Sequence, residues 1–232
     1  MANLITLGRV LLLFIAIAMI YSANFWIIIL AGCIIAVIFA GDGLDGYVAR
    51  RRGSATKLGA VLDIAGDRVV ENALWVVFAA LQLLGVWAPL VVLTRSFTVD
   101  VLRSVALTAG RTPFGEQTMM RSRLTRFLTA SRFSRTAYGW SKALGFVFLT
   151  WLVAWRLPSA NGRWLDTFYD HQSFRAFGWT LVYLSVALCV IRGLPVLYDA
   201  LYYLREEDGP APTSARERSG LATERGERGE PA

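Results

Sequence analysis

The stretch that decides the fold is residues 42–67, which read DGLDGYVARRRGSATKLGAVLDIAGD. It holds Asp42, Asp45, Asp63 and Asp67, and long apolar blocks flank it on both sides. The first two aspartates are three residues apart and the last two are four apart, so each pair shares one face of a helix. Carboxylates beside membrane-type sequence are costly to place, and this pattern therefore indicates a functional site.

The four carboxylates predict a divalent-cation site. Two helix ends that face each other would bring like charges together, and such a cluster needs a counterion. Hard cations such as Mg²⁺ and Mn²⁺ prefer carboxylate oxygen and leave positions open for phosphate oxygens. We expect one or two ions. Gly46 and Gly59 would let a ligand or a second helix come close, and Arg50 could clamp the same phosphates.

The spacing Asp-x2-Asp-Gly-x2-Ala-Arg-x8-Gly-x3-Asp-x3-Asp resembles the signature of the CDP-alcohol phosphatidyltransferase family. Every fixed identity is present at the family's gaps, and eight identities in order make a specific signal. The matching residues are Asp42, Asp45, Gly46, Ala49, Arg50, Gly59, Asp63 and Asp67. The alternative is a polar helix pair that lines the cavity of a channel or transporter.

The resemblance implies transfer of a phosphatidyl group from CDP-diacylglycerol to an alcohol acceptor, with release of CMP. It implies that Asp67 is the general base, which also contributes to the metal site beside Asp42, Asp45 and Asp63. It further implies a nucleotide pocket shaped by the residues Asn3, Thr6, Gly46, Ala49, Arg50 and Gly59. Asn3, Thr6 and Arg9 are spaced three apart on one helix face, although an ordinary polar helix start with an interfacial arginine has the same pattern.

Composition predicts an all-α, polytopic membrane protein with six transmembrane helices. The chain has 232 residues, 55% of them hydrophobic, and a formal net charge of +7. Its basic residues lie between the apolar blocks, which fits loops on an anionic membrane surface better than nucleic-acid binding. Both cysteines, Cys33 and Cys189, lie inside apolar blocks and are interpreted as small apolar residues with no disulfide between them.

Hydropathy divides the chain into a six-helix domain, residues 1–204, and a polar, disordered tail, residues 205–232. No signal-peptide cleavage site follows the first block, which is expected to remain as an anchor. The predicted spans are residues 4–21, 25–40, 58–84, 87–109, 138–157 and 177–204. The basic loops, residues 50–57 and 110–137, predict cytoplasmic termini, a cytoplasmic active site and a location in the inner membrane.

Five basic residues are candidates for binding the acceptor. Arg95 and Arg103 lie about two turns apart in the fourth span, where a branch of the family, the phosphatidylglycerophosphate synthases, has similar paired arginines. Pairing with Asp100 or with lipid headgroups is the alternative. Arg132, Arg135 and Lys142 would recruit an anionic acceptor, or else belong to a basic cytoplasmic loop.

These arginines favour a phosphorylated acceptor such as glycerol 3-phosphate or an inositol phosphate. The alternatives are a neutral or lipid acceptor (serine, inositol, choline or phosphatidylglycerol) and a six-helix transporter with an acidic ion site. The resemblance also implies a homodimer.

Overall fold

The computed structural model describes residues 2–52, 57–108 and 132–207. Within these ranges the side chains of residues 2–5, 42–52, 57, 58, 60, 103, 105–108, 132, 133 and 199–207 lie outside the description. The described chain contains helices and no strand, which confirms the all-α prediction. The predicted tail falls almost wholly outside the described residues.

The described residues form six long helices, and each has the length to approach or exceed a membrane thickness of about 20 residues. They are α1 (Ala2–Ile20), α2 (Phe25–Arg52), α3 (Lys57–Ala80), α4 (Trp87–Thr108), α5 (Arg132–Trp155) and α7 (Gln172–Glu207). A 3₁₀ turn, Pro158–Ala160, and the short helix α6, Trp164–Tyr169, connect α5 to α7.

The long helices form a closed ring of contacts in the order α1, α3, α4, α7, α5, α2. In this ring α1 lies between α2 and α3, the two helices that carry the aspartate motif. The chain reverses direction between successive long helices through α5, and α7 returns antiparallel to it. The first turns of α1, α3 and α5 therefore lie at the same end of the bundle as the last turns of α2, α4 and α7.

Contacts between distant residues confirm this arrangement of ends. At the motif end, Arg68 of α3 pairs with Asp100 of α4, and Arg192 of α7 donates to Ser134 of α5. At the opposite end, the Arg163 guanidinium lies 4.6 Å from the centre of the Phe25 ring, at the start of α2. We call the end that holds the aspartate motif the motif end.

An aromatic cluster fills the bundle below the motif end. Phe146 of α5 is buried with its ring centroid 5.1 Å from that of Trp75 and 5.7 Å from those of Phe39 and Phe78. This packing joins α2, α3 and α5 through rings that each remove a large apolar area from solvent or lipid. The charged residues of the motif end begin beyond this layer of rings.

The close approach of α2 and α5 depends on Gly32. A Cβ atom at this position would collide with the Trp151 indole ring, whose Nε1 donates a hydrogen bond of 3.2 Å to the Ile29 carbonyl.

Tyr169 is buried at the end of the bundle opposite the motif end, where its hydroxyl donates a hydrogen bond of 2.8 Å to the Phe148 carbonyl. Burial raises the pKa of Tyr169, because the charged phenolate would lose its hydration there.

Asn24 caps the second helix. Its Oδ1 accepts hydrogen bonds from the backbone N–H groups of Trp26 at 3.0 Å and Ile27 at 3.3 Å, which satisfies two of the donors that every helix start leaves open. This N-cap explains why the uncharged turn predicted at residues 22–24 separates two apolar helices.

Within the described residues one helical segment, Gln172–Tyr198, is both long and apolar enough to cross a membrane. Two further apolar segments, Thr6–Ile20 and Phe25–Gly41, are shorter. Helices α3 and α4 are less apolar than these segments because they carry charged residues. Helix α3 carries Asp63, Asp67, Arg68 and Glu71 in close succession, and α4 carries Arg95, Asp100 and Arg103.

Several predicted boundaries were wrong. Helix α3 ends at Ala80 and is followed by a turn in which Gln82 has a φ of 57°, whereas the prediction continued to residue 84. Helix α5 begins at Arg132, so residues 132–137 are helical and not loop. Its first turns contain polar residues but neither glycine nor proline, and polarity alone does not stop a helix.

The last long helix also exceeds its predicted range. It begins at Gln172, ahead of the predicted residue 177, and continues as one helix through Pro195. The segment before it contains helices where a loop was expected. His171 in that segment is exposed.

Candidate active site

The structure brings the second aspartate pair to the first helix. Arg9 Nη2 donates to Asp67 Oδ1 at 2.9 Å, and Arg9 Nη1 lies 3.7 Å from Asp63 Oδ1. Arg9 is only 7% exposed, whereas the two aspartate side chains are 50% and 41% exposed. Both carboxylates contact Arg9 and remain accessible from solvent.

A close contact between helices makes this geometry possible. Gly66 lies between the two aspartates on α3, and a Cβ atom there would be 2.6 Å from Cγ2 of Thr6. The missing side chain lets α1 approach α3 at the turn before Arg9. Thr6 is buried at this contact. The role of its helix face in binding the nucleotide stays a prediction.

A second charged cluster joins three helices deeper in the bundle. Glu71 is 3% exposed and accepts a hydrogen bond of 3.0 Å from Lys142 Nζ and another from the Tyr138 hydroxyl. Arg68 lies 3.9 Å from the same carboxylate and forms a two-pronged pair with Asp100, at 2.7 and 2.9 Å. Charges of alternating sign therefore run from α4 through α3 to α5, and each buried ion has a partner.

The same cluster reaches the end of α2 and the late turns of α7. Lys142 Nζ lies 5.3 Å from the centre of the Phe39 ring, which is three residues before Asp42. Arg192 of α7 donates to Ser134 Oγ at 2.9 Å, and its guanidinium carbon is 5.8 Å from the centre of the Tyr138 ring.

Arg95 lies in a groove of about 380 Å³ between α4 and α7. Gly193 allows it to pack there, since a Cβ atom at residue 193 would be 2.6 Å from Arg95 Cγ. Its Nε is buried and has no hydrogen-bond partner among the described residues. The other residues lining the groove are apolar or threonine, for example Leu90, Thr94 and Val190.

Asp100 has a partner on another helix that the sequence did not predict, because it pairs with Arg68 of α3. Pairing of the fourth-span arginines with Asp100 stays an untested alternative, since the Arg103 side chain is not described. Arg95 lines the groove between α4 and α7.

The structure describes only some of the predicted site residues. Asp63, Asp67, Thr6, Gly59, Arg95, Arg135 and Lys142 are described. Gly59 lies in the first turn of α3, one turn before Asp63, and Arg135 is exposed in the first turn of α5. The structure does not describe the side chains of Asn3, Asp42, Asp45, Ala49, Arg50, Arg103 and Arg132. The surroundings of Gly46 are likewise not described.

Sequence reasoning missed Arg68, Glu71 and Arg192, and it did not predict what Arg9 contacts. A signal was present for the first three, because each is a charged residue inside an otherwise apolar helix. The contact of Arg9 had no such signal: its spacing places it on one face of α1 without saying which helix that face meets.

The described residues fit a hard divalent cation in their donor chemistry. Asp63 and Asp67 turn toward one positive group, the Arg9 guanidinium, and both remain partly open to solvent. No group of three or more histidine, cysteine or acidic side chains with metal-site spacing occurs in the described part of the chain, where Asp42 and Asp45 have no described side chains. Asp63 and Asp67 thus lie close to the same side chain, and the metal site itself stays a prediction.

Comparison with known proteins identifies the family. A family model for CDP-alcohol phosphatidyltransferases matches residues 1–191. The chain belongs to this family. Its members are integral to membranes and generally depend on divalent metal ions.

Individual relatives match over shorter regions. A CDP-diacylglycerol–glycerol-3-phosphate 3-phosphatidyltransferase of Pseudomonas fluorescens is 36% identical over 113 residues, which is 47% of this chain and 57% of the relative. A phosphatidylinositol phosphate synthase of Mycobacterium marinum (strain ATCC BAA-535 / M) is 36% identical over 84 residues, or 34% of this chain and 36% of the relative. A CDP-diacylglycerol–glycerol-3-phosphate 3-phosphatidyltransferase of Bacillus subtilis (strain 168) is 33% identical over 82 residues, covering 35% and 42%. The chain thus spans about half the length of these relatives, or less.

Proposed function

We propose that this protein transfers the phosphatidyl group of CDP-diacylglycerol to an alcohol acceptor and releases CMP. The observation that carries the proposal is the complete eight-residue family signature, whose described members Asp63 and Asp67 converge at the motif end. Membership of the family supports the same chemistry. So do the names of the relatives, which include two phosphatidyltransferases that act with CDP-diacylglycerol.

The four aspartates have two roles in this proposal, which are binding the metal ions and accepting a proton. Asp42, Asp45, Asp63 and Asp67 would hold one or two Mg²⁺ or Mn²⁺ ions. When bound, such ions neutralise the phosphate charge that builds up during transfer. Asp67 takes the proton from the acceptor hydroxyl, while the new bond forms between the acceptor oxygen and the phosphatidyl phosphorus. The bond from that phosphorus to the CMP oxygen breaks, and CMP leaves.

The remaining motif residues would bind the donor nucleotide. Gly46, Ala49, Arg50 and Gly59 shape the CDP pocket, and Asn3 and Thr6 face it from α1. The contact of Thr6 with Gly66 supports this part, because it holds the first helix against the aspartate-bearing turn. Proximity of these groups orients the donor for attack.

We propose a phosphorylated acceptor, glycerol 3-phosphate or an inositol phosphate. The names of the three relatives include glycerol 3-phosphate and phosphatidylinositol phosphate, which points to this class. Arg95, Arg103, Arg132, Arg135 and Lys142 are the proposed binding groups. Arg95 supports the assignment most directly, because its buried Nε lacks a partner among the described residues and buried donors normally have one.

We further propose that all six long helices cross the inner membrane, with both termini in the cytoplasm and residues 1–204 forming the catalytic domain. Each long helix exposes large apolar side chains, which in a soluble protein would form unusually large patches. Examples are Leu11 on α1, Val37 on α2, Ile64 on α3, Phe97 on α4, Trp140 on α5 and Phe177 on α7. A homodimer in the membrane is proposed as well.

The test of the function is a CMP-release assay with purified protein, CDP-diacylglycerol and Mg²⁺ or Mn²⁺. Acceptors are offered one at a time: glycerol 3-phosphate, inositol phosphate, serine, inositol and phosphatidylglycerol. We expect release with a phosphorylated acceptor only. Release with none of them would contradict the proposal, and release with a neutral acceptor alone would contradict the acceptor assignment.

The matched variant is Asp67→Asn, which keeps the size of the side chain and removes the base. We expect its turnover to fall by at least about 100-fold. Asp170→Asn, an exposed position at the opposite end of the bundle, is the control and should keep the activity of the unaltered protein.

A further inference from the structure

Arg9 is a buried cation that faces two accessible carboxylates. Its two terminal nitrogens each engage a different aspartate, at 2.9 Å for Asp67 and 3.7 Å for Asp63. An arginine fork matches carboxylate oxygens well and keeps its charge at any physiological pH. The guanidinium therefore supplies the positive charge that two aspartates one turn apart need.

This contact differs from an ordinary surface ion pair in its asymmetry. The arginine is 7% exposed and is held from behind by the helix contact at Thr6 and Gly66. The aspartates, at 50% and 41% exposure, stay open to a ligand from solvent. The cation is thus buried in the protein, and both carboxylates remain accessible to a ligand.

We propose that Arg9 is a positioning residue that stands in for the divalent cation while the site is empty. It holds Asp63 and Asp67 in converging orientations, and an arriving ion competes with its positive charge for the two carboxylates. Arg9 thus lowers the affinity for the ion and keeps the aspartates from repelling each other without it. The inference rests on the metal assignment made under the proposed function and adds the residue that competes with the metal.

The test is Mn²⁺ binding to the purified full-length protein in detergent, measured from free Mn²⁺ by electron paramagnetic resonance. Compared with the unaltered protein, Arg9→Gln should bind Mn²⁺ with a Kd lower by about fivefold or more, since the competing charge is gone. Without metal, the same variant should melt at a lower temperature, and saturating Mn²⁺ should raise its Tm by more than it raises that of the unaltered protein. Arg175→Gln removes an arginine that lies against Trp155 at the opposite end, and its Kd should not change.

A Kd for Arg9→Gln that is equal to or higher than that of the unaltered protein would overturn the inference. If Arg9→Gln does not fold, Arg9→Lys replaces it, because a lysine keeps the buried charge but cannot bridge both carboxylates at once. Its Kd should fall by about twofold or more, and an unchanged or raised value would be equally decisive against Arg9. Failure of the unaltered protein to bind Mn²⁺ at all would instead refute the metal assignment and the proposed function together.

Discussion

At the scale of single residues, Glu71 is the acid on which the second charged cluster depends. It is 3% exposed and engages Lys142, Tyr138 and Arg68. Glu71→Gln would leave Lys142 buried without a counter-charge, and breaking such a pair costs about 3 kcal/mol or more. We expect a clear drop in Tm, measured by thermal melting in detergent.

The partner substitution makes this prediction specific. Lys142→Met in the Glu71→Gln background removes the orphaned charge and should recover most of the lost stability. Asp170→Asn, at an exposed carboxylate, should change the free energy of unfolding by less than about 0.5 kcal/mol. A Glu71→Gln protein as stable as the original would mean that the cluster does not hold the three helices together.

Arg95 provides the residue-scale test of acceptor binding. Arg95→Ala removes a buried donor at the edge of the groove, so the KM for the phosphorylated acceptor should rise by about tenfold or more. The KM for CDP-diacylglycerol should stay within twofold in the same assay. An unchanged acceptor KM would remove Arg95 from the acceptor site and leave it a structural role beside Gly193.

At this scale the sequence predicted that Asp63 and Asp67 share one helix face, and their common contact with Arg9 agrees with this. It did not predict the residues around them. Regular spacing identified Asp63 and Asp67, because helical periodicity places residues four apart on one face. It did not predict that Arg9 meets them, since that contact depends on which helix packs against α3. Arg68 and Glu71 were overlooked because an apolar span was read as uniformly apolar.

At the scale of elements, the contact of α1 with α3 decides whether Arg9 can reach the aspartates. The controlling atoms are few, because a Cβ atom at residue 66 would meet Thr6 Cγ2 at 2.6 Å and Val10 Cγ2 at an ordinary 3.8 Å. Gly66→Ala should therefore push the two helices apart and lower the Tm, even though alanine is the better helix former.

The double variant removes the colliding atom. Thr6→Ser lacks Cγ2, so Gly66→Ala in the Thr6→Ser background should be neutral or stabilising, by up to about 1 kcal/mol. Gly8→Ala is the control, because nothing lies within 4 Å of its added Cβ atom. If Gly66→Ala lowers the Tm equally in both backgrounds, the cause is not the contact with Thr6.

Element existence was predictable and element boundaries were not. Apolar blocks identified the six long helices that the described part of the chain contains. Helix α5 begins six residues before its predicted start at residue 138, because Arg132, Ser134 and Arg135 were taken as loop residues on the basis of polarity alone. Polar residues indicate where the chain meets water, but a helix can extend from the membrane into water, so polarity does not locate its end.

At the scale of the whole molecule, the ring of described helices brings one end of each long helix to the motif end. The order of helices around the ring was not predictable, because apolar faces on six helices are compatible with many arrangements. The sequence does constrain the end of the bundle at which each turn lies, because the chain runs in opposite directions in successive apolar blocks. That alternation places residues 22–24 and 158–171 opposite the motif end.

The alternation predicts which residues can be labelled from outside the cell. In a protein with Cys33→Ser and Cys189→Ala, single substitutions Ala23→Cys and Gly162→Cys should react with a membrane-impermeant maleimide in intact cells. Arg135→Cys, at the motif end, should react only after the cells are permeabilised. Labelling of all three positions under the same condition would contradict six crossings with cytoplasmic termini.

The account as a whole claims that the motif end is a divalent-cation site at which a CDP-linked lipid gives up its phosphatidyl group. The most direct test is a crystal structure with Mn²⁺ and CDP-diacylglycerol, in which anomalous scattering locates the metal. We predict a manganese peak about 2.0–2.3 Å from oxygens of Asp63 and its partner aspartates, with Arg9 moved away from at least one carboxylate. Bound lipid with no manganese beside these aspartates, and Arg9 still paired with both, would contradict the account.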